Sequence, residues 1–131
     1  MTLIRTSERE RLTAATKPDG CPAHSAGRFR LTADGTSQFD RHYHDFDEFW
    51  FVTAGYAAIA VGDTTYQAQP GDIIYTPAGT IHDITAITGS EDLEVFWLSW
   101  TLPDGASGQH LHQDPADAAK HPVPARPGTQ T

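Results

Sequence analysis

Between Arg28 and Trp100 apolar and polar residues alternate with a period of two, and clusters of Gly, Pro, Asp and Ser interrupt the pattern at short intervals. That period belongs to strands, in which successive side chains point to opposite faces. Arg28 to Thr32 predicts a first strand with both of its arginines on one face, either solvated or able to receive an anion. After the turn Ala33-Asp34-Gly35, Ser37 to His44 predicts a second. Parity turns Asp40, His42 and His44 inward and leaves Phe39, Arg41 and Tyr43 outward. From Glu48 the same parity sends Trp50 and Val52 inward, while Phe49 and Phe51 face the other side and need cover. Gly55 ends this strand. Tyr56 to Val61 and Thr64 to Ala68 form a hairpin about Gly62-Asp63, since glycine readily supplies the positive φ of tight hairpin turns. Ile73 to Thr76 follows, Pro77-Ala78-Gly79 bends the chain, and His82 and Ile84 share a face. Leu93 to Trp100 is apolar on both faces. Short strands at regular spacing with no central helix predict an all-β sandwich or small barrel.

The flanks read differently. Ser7 to Ala15 predicts a short helix, with Ser7 and Glu10 in capping-box spacing, and Lys17 to Gly27 is turn and loop. From Pro103 the chain is rich in Pro, Gly, Ala, Asp and His. The organisation expected is therefore an N-terminal covering segment (1–27), a barrel (28–102) and a mobile tail (103–131). His110 and His112 repeat the H-x-H spacing within that tail, where histidines ordinarily serve neither as lid nor as metal ligand.

The 131 residues suffice for one core. A net charge of −8 opposes binding to phosphate backbones and to anionic membranes. Neither an apolar run long enough to span a bilayer nor a leader-like N-terminus is apparent, so a cytoplasmic protein is expected. The single cysteine, Cys21, is expected to be an ordinary loop or buried thiol.

Candidate chemistry concentrates in His42 to Gly55 and Gly71 to His82. Two imidazoles on one strand face with Glu48 beside them offer a divalent transition metal nitrogen and oxygen ligands, and His82 is available as a fourth. The acids Asp40, Asp45, Asp47 and Asp83 lie close by, able to orient a ligand imidazole or to face solvent. The two blocks read H-x-H-x(3)-E-x(6)-G and G-x(5)-P-x-G-x(2)-H. The pair resembles the two motifs of the cupin superfamily. Thr36 stands where the first motif usually has Gly, and Ala86 where the second usually has Asn; neither position is a ligand.

The resemblance implies a jelly-roll β-barrel of about six to eight strands and a metal held by His42, His44, Glu48 and His82. With no thiolate among the ligands, Fe, Mn, Ni, Co, Cu and Zn all fit. The function expected is that of a metal-dependent enzyme of isomerase, cyclase, lyase or dioxygenase type, acting on a small oxygen-rich metabolite chelated to the ion. A non-catalytic sensor for a sugar or carboxylate is the alternative. Trp50, Val52 and Ile84 are expected to line the substrate pocket, with Asp40 and Tyr75 as candidate acid–base residues. The apolar excess on both faces of Glu48 to Val52 and Leu93 to Trp100 predicts a homodimer.

Overall fold

The computed structural model describes residues 2–118. Among these, seven strands run β1 (Ser25–Leu31), β2 (Glu48–Ala54), β3 (Ala57–Val61), β4 (Thr64–Ala68), β5 (Ile73–Thr76), β6 (His82–Ile87) and β7 (Leu93–Ser99). They form two sheets with the strand orders β1-β7-β2-β5 and β4-β3-β6, and every pairing is antiparallel. The all-β fold expected from the alternation, and the jelly roll that the resemblance implies, are thus what the chain adopts. Among the described residues no helix is long and apolar enough to cross a membrane.

Alternation decides which side chains enter the interior. On β7 the buried residues are Leu93, Val95, Trp97 and Ser99, while Glu94, Phe96 and Leu98 lie half-buried on the outer face. Of this strand's two apolar faces, only one is fully buried. Register then matches large against small: Gly27 faces Trp97 across β1 and β7, and a Cβ on Gly27 would lie 2.5 Å from the indole. Gly55 is held in the same way, with φ +83° and the Asp92 carbonyl 2.5 Å from where its Cβ would be. A side chain there would be strained as well as obstructed.

Two predicted elements differ. The helix from Ser7 is a single turn, Thr6–Glu8, closed by Arg9 in the left-handed conformation. Glu10 does reach back, but to the amide of Arg5, and Leu12 instead makes an isolated bridge to Ala26. A nine-residue helix is marginal alone, and burying Leu12 against the sheet edge outweighs it. The strand expected over Ser37 to His44 is mostly irregular, with ladder contacts only at His42, to His82, and Tyr43, to Leu111. The parity prediction survives without the strand for most of these residues: Asp40, His42 and His44 are buried, and Arg41 is exposed. Phe39 is the exception, turned inward to meet Trp50 edge-on at 5.5 Å.

Composition alone predicts a mobile tail from Pro103 onward. In the structure residues 106–112 lie along the loop that carries the first histidines. Tyr43 and Leu111 exchange backbone hydrogen bonds of 2.9 Å each way, and the amides of Ser107 and Gly108 donate to Asp45. A single helical turn, Pro115–Ala118, follows. The remainder of the expected tail, with His121, lies outside the described residues.

Candidate metal centre

Two chain segments build the site. His42 and His44 project from the loop before β2, while His82 opens β6 directly opposite, its amide donating to the His42 carbonyl at 2.8 Å and the reverse bond closing at 3.2 Å. The Pro77–Gly79 bend is fastened to the same loop, because the Gly79 amide donates to the His44 carbonyl at 2.7 Å. Gly79 has φ +80°, the left-handed geometry glycine tolerates. The two sequence blocks therefore meet through their backbones as well as their side chains.

The three imidazoles converge. His42 Nε2 lies 3.1 Å from His44 Nε2 and 3.0 Å from His82 Nε2, and each residue is about 1% exposed. Burial pushes His42 down to about 2 and His82 to about 4, and it holds His44 well below the ordinary range, so all three are neutral at pH 7. A carbonyl can only accept, so the contact of His42 Nδ1 with the Asp40 carbonyl fixes its proton there, as does that of His82 Nδ1 with the Thr80 carbonyl. The two Nε2 atoms consequently face each other with bare lone pairs in a dry interior. That arrangement is repulsive alone and favourable around a cation, since nitrogens at about 2.1 Å from one ion and at right angles to each other lie about 3.0 Å apart. The residues present fit a divalent metal.

Glu48 is fully buried beside this triad, its Oε2 3.7 Å from His44 Nε2. Trp50 Nε1 donates to Oε2 at 3.0 Å and Ser99 Oγ to Oε1 at 2.7 Å, so the carboxylate is held in place from two strands. Its oxygens keep further lone pairs for an ion. Donor atoms of His42, His44 and His82 lie within 4.8 Å of one another, as do those of Asp40, His42 and His110.

The other expected site residues fall in several places. Asp40 is buried, with Oδ2 3.5 Å from His42 Nδ1, hence behind that imidazole with respect to Nε2. It is placed to orient His42 rather than to exchange protons with a molecule among the three Nε2 atoms. Tyr75 is 47% exposed and stacked on Phe49 at 5.1 Å on the outer face of the sheet. Parity on β5 decides this, because its neighbours Ile74 and Thr76 are the inward residues. Trp50 and Val52 are packed in the hydrophobic core, and Ile84, also part of that core, lines a cavity of about 540 Å³ with Leu31, Phe39, Asp83 and Ile87. Phe39 stands between this cavity and the triad, 5.1 Å from the His42 ring and 6.3 Å from that of His82.

Three contributors were missed by the sequence reading. Phe46, between the two predicted strands, is wholly buried and stacks on His44 at 4.5 Å. His110 stacks on His42 at 4.0 Å with an interplanar angle of 8°, and His112 Nε2 meets Asp40 Oδ2 at 2.8 Å. The repeated H-x-H spacing was their only signal. The remaining acids brace backbone: Asp45 holds residues 107 and 108, and Asp47 accepts from the Ala78 amide at 3.0 Å.

Comparison with known proteins agrees with this architecture. Residues 28–100 match the family model described as a cupin domain. An uncharacterized protein of Streptomyces coelicolor is 42% identical over 71 residues, covering 54% of this chain and 64% of its own. Another, of Sinorhizobium fredii, is 30% identical over 86 residues, covering 63% and 38%. The chain thus spans less than two thirds of either relative. Among solved structures, a cupin protein from Bacteroides fragilis superposes with a TM-score of 0.58 at 15% identity, over 79% of this chain and 84% of that one, a likeness of fold. With the matched segment covering more than half of its residues, the chain belongs to the cupin family.

Proposed function

We propose that this chain is a metal-dependent enzyme acting on a small, oxygen-rich metabolite, with His42, His44, His82 and Glu48 holding one divalent transition-metal ion. The observation that carries the reading is the pair of bare Nε2 atoms of His42 and His82, 3.0 Å apart inside the barrel. Such an ion, when bound, polarises chelated oxygens and acidifies attached water. The chain's own part is to fix the imidazoles through the Asp40 and Thr80 carbonyls, to exclude water, and to hold the carboxylate between Trp50 and Ser99. The 540 Å³ cavity behind Phe39 has the size and mixed lining of a small-molecule site, and rotation of that ring would join it to the triad. The isomerase, cyclase, lyase and dioxygenase chemistries all begin from an oxygen ligand bound this way.

Metal analysis of protein purified without added metal, followed by an oxygen-uptake screen, tests this. His42→Ala, His44→Ala and His82→Ala should each lower occupancy of this inner centre at least about tenfold, and Glu48→Ala to a lesser degree, whereas His24→Ala and His121→Ala should leave it unchanged. Equal losses in the latter pair would remove the assignment. A catalyst should change turnover by orders of magnitude when the ion is exchanged for one of similar geometry, while a binder's affinity should change little. The outer sheet face carrying Phe49, Phe51, Ile73 and Tyr75, with Ile73 62% exposed, supports a homodimer through that face. Light scattering should give a dimer, and Ile73→Glu a monomer.

A further inference from the structure

Among the described residues, a further set of metal-ligating side chains stands at the rim of the triad. His110 and His112 flank Leu111, whose backbone pairing with Tyr43 fixes the segment against the barrel. Both imidazoles reach Asp40: Oδ2 is 2.8 Å from His112 Nε2 and 3.6 Å from His110 Nδ1. Donor atoms around a common ion at about 2.1 Å lie roughly 3 Å apart, the spacing Asp40 already has to His112, so His110 would swing inward to complete a shared coordination sphere. His42 is not part of it, because its Nδ1 already donates to the Asp40 carbonyl. Nor does His110 belong to the inner ion, since rings stacked at 4.0 Å and nearly parallel cannot both aim a nitrogen at one point. The side chains of His110 and His112 are 10% and 14% exposed against 0–1% for His42 and His44, so water and ions reach the rim.

We propose that Asp40, His110 and His112 form a second divalent transition-metal site, whose ion clips residues 106–112 to the barrel over the inner centre. Two imidazoles and one carboxylate, with remaining positions for water, suit Zn(II), Co(II), Ni(II) or Cu(II). Two of the ligands come from the strap and one from the barrel, so binding the ion and seating the strap are one equilibrium. The clip also adjoins the inner centre through Asp40, which faces His42 Nδ1.

The experiment is equilibrium dialysis of the untagged full chain against Co(II), with metal analysis. The wild type should hold about two ions per chain and two double variants about one each, His110→Ala/His112→Ala losing the rim ion and His44→Ala/His82→Ala the inner ion. His112→Gln, which can still donate a hydrogen bond to Asp40, should also drop to about one ion and guards against simple misfolding. Amide exchange at Tyr43 and Leu111 gives a second readout. Zn(II) at about 100 times the rim dissociation constant should slow strap opening about 100-fold in the wild type and not in the strap variants. A single ion that vanishes in His44→Ala/His82→Ala and persists in His110→Ala/His112→Ala would overturn the clip, leaving His112 as a hydrogen-bonded latch. A single ion with the opposite response would uphold the clip and defeat the inner assignment. Exchange at Tyr43 and Leu111 indifferent to Zn(II) would also overturn it.

Discussion

The two ends of the barrel interior are equally dry and chemically opposite. Four inward-facing rows run from one to the other, Ser25 to Leu31 on β1, Glu48 to Val52 on β2, Thr76 to Ile74 on β5 and Ser99 to Leu93 on β7, and His82 to Ile84 on β6 repeats the order. Each begins polar and ends apolar. At the apolar end Val52, Ile59, Leu93 and Val95 are at most 2% exposed, and their burial stabilises the fold by about 25 cal/mol per Å² removed from water. At the polar end His42, His44, Glu48, Thr76 and Ser99 are just as buried, and each needs partners merely to avoid a penalty. The seam is made by two indoles. Trp50 Nε1 donates to Glu48 and Trp97 Nε1 to Ser25, so each ring packs with the apolar end while its one donor serves the polar end. An interior built for stability alone would continue the apolar pattern; the polar end instead gathers side chains that could hold a metal ion.

Acid should break this equivalence most. In metal-free protein the three inner imidazoles are held below their ordinary value of 6.5, His82 at about 4 and His42 at about 2. The folded state therefore binds fewer protons than the unfolded one in this window, and stability is lost as pH falls below 6.5. Each group removes up to about 1.4 kcal/mol per pH unit, so the three together remove up to about 4. Urea midpoints measured between pH 7.5 and 5 check this, and a flat profile would mean that the imidazoles are already charged or solvated.

Next in size, Ile59→Ala at the apolar end should cost about 2–5 kcal/mol by the same amount at every pH, in contrast to the acid effect. Ser99→Ala should cost about 1–3 kcal/mol by leaving Glu48 Oε1 short of a donor, and it should weaken metal binding as well. Calorimetry with and without Co(II) separates those two effects. Smallest of all, Tyr75→Phe on the outer face should shift stability by about 0.5 kcal/mol or less and leave turnover of any identified substrate unchanged.

How much of this was legible follows from the range over which each signal acts. The strands of the hairpin, β5 and β7 were readable because alternation is a local consequence of burying one face. His42, His44, Glu48 and His82 were readable as a group because their spacing is tied to turns that glycine and proline mark. Phe39 and Phe46 were not, since an irregular loop has no fixed parity and each ring goes where neighbouring rings leave room. The strap was hidden for another reason. Its composition lacks core-forming residues, and what holds it is backbone pairing with Tyr43 and acceptance by Asp45, interactions that most sequences can supply. Tyr75 shows how much parity decides, because one residue's difference in register separates the site from the outer surface.

The strap also has a place in time. Synthesis proceeds from the N-terminus at about 5–20 residues per second, and domains fold as their residues emerge. Every inner ligand precedes residue 83 and the last strand ends at Ser99, so the barrel with its triad can be assembled before His110 has left the ribosome. A centre formed in that order would be open to ions at first and covered only afterwards. Which metal it holds would then be set by what the nascent barrel meets, and residues 106–112 would preserve that choice by slowing its exchange.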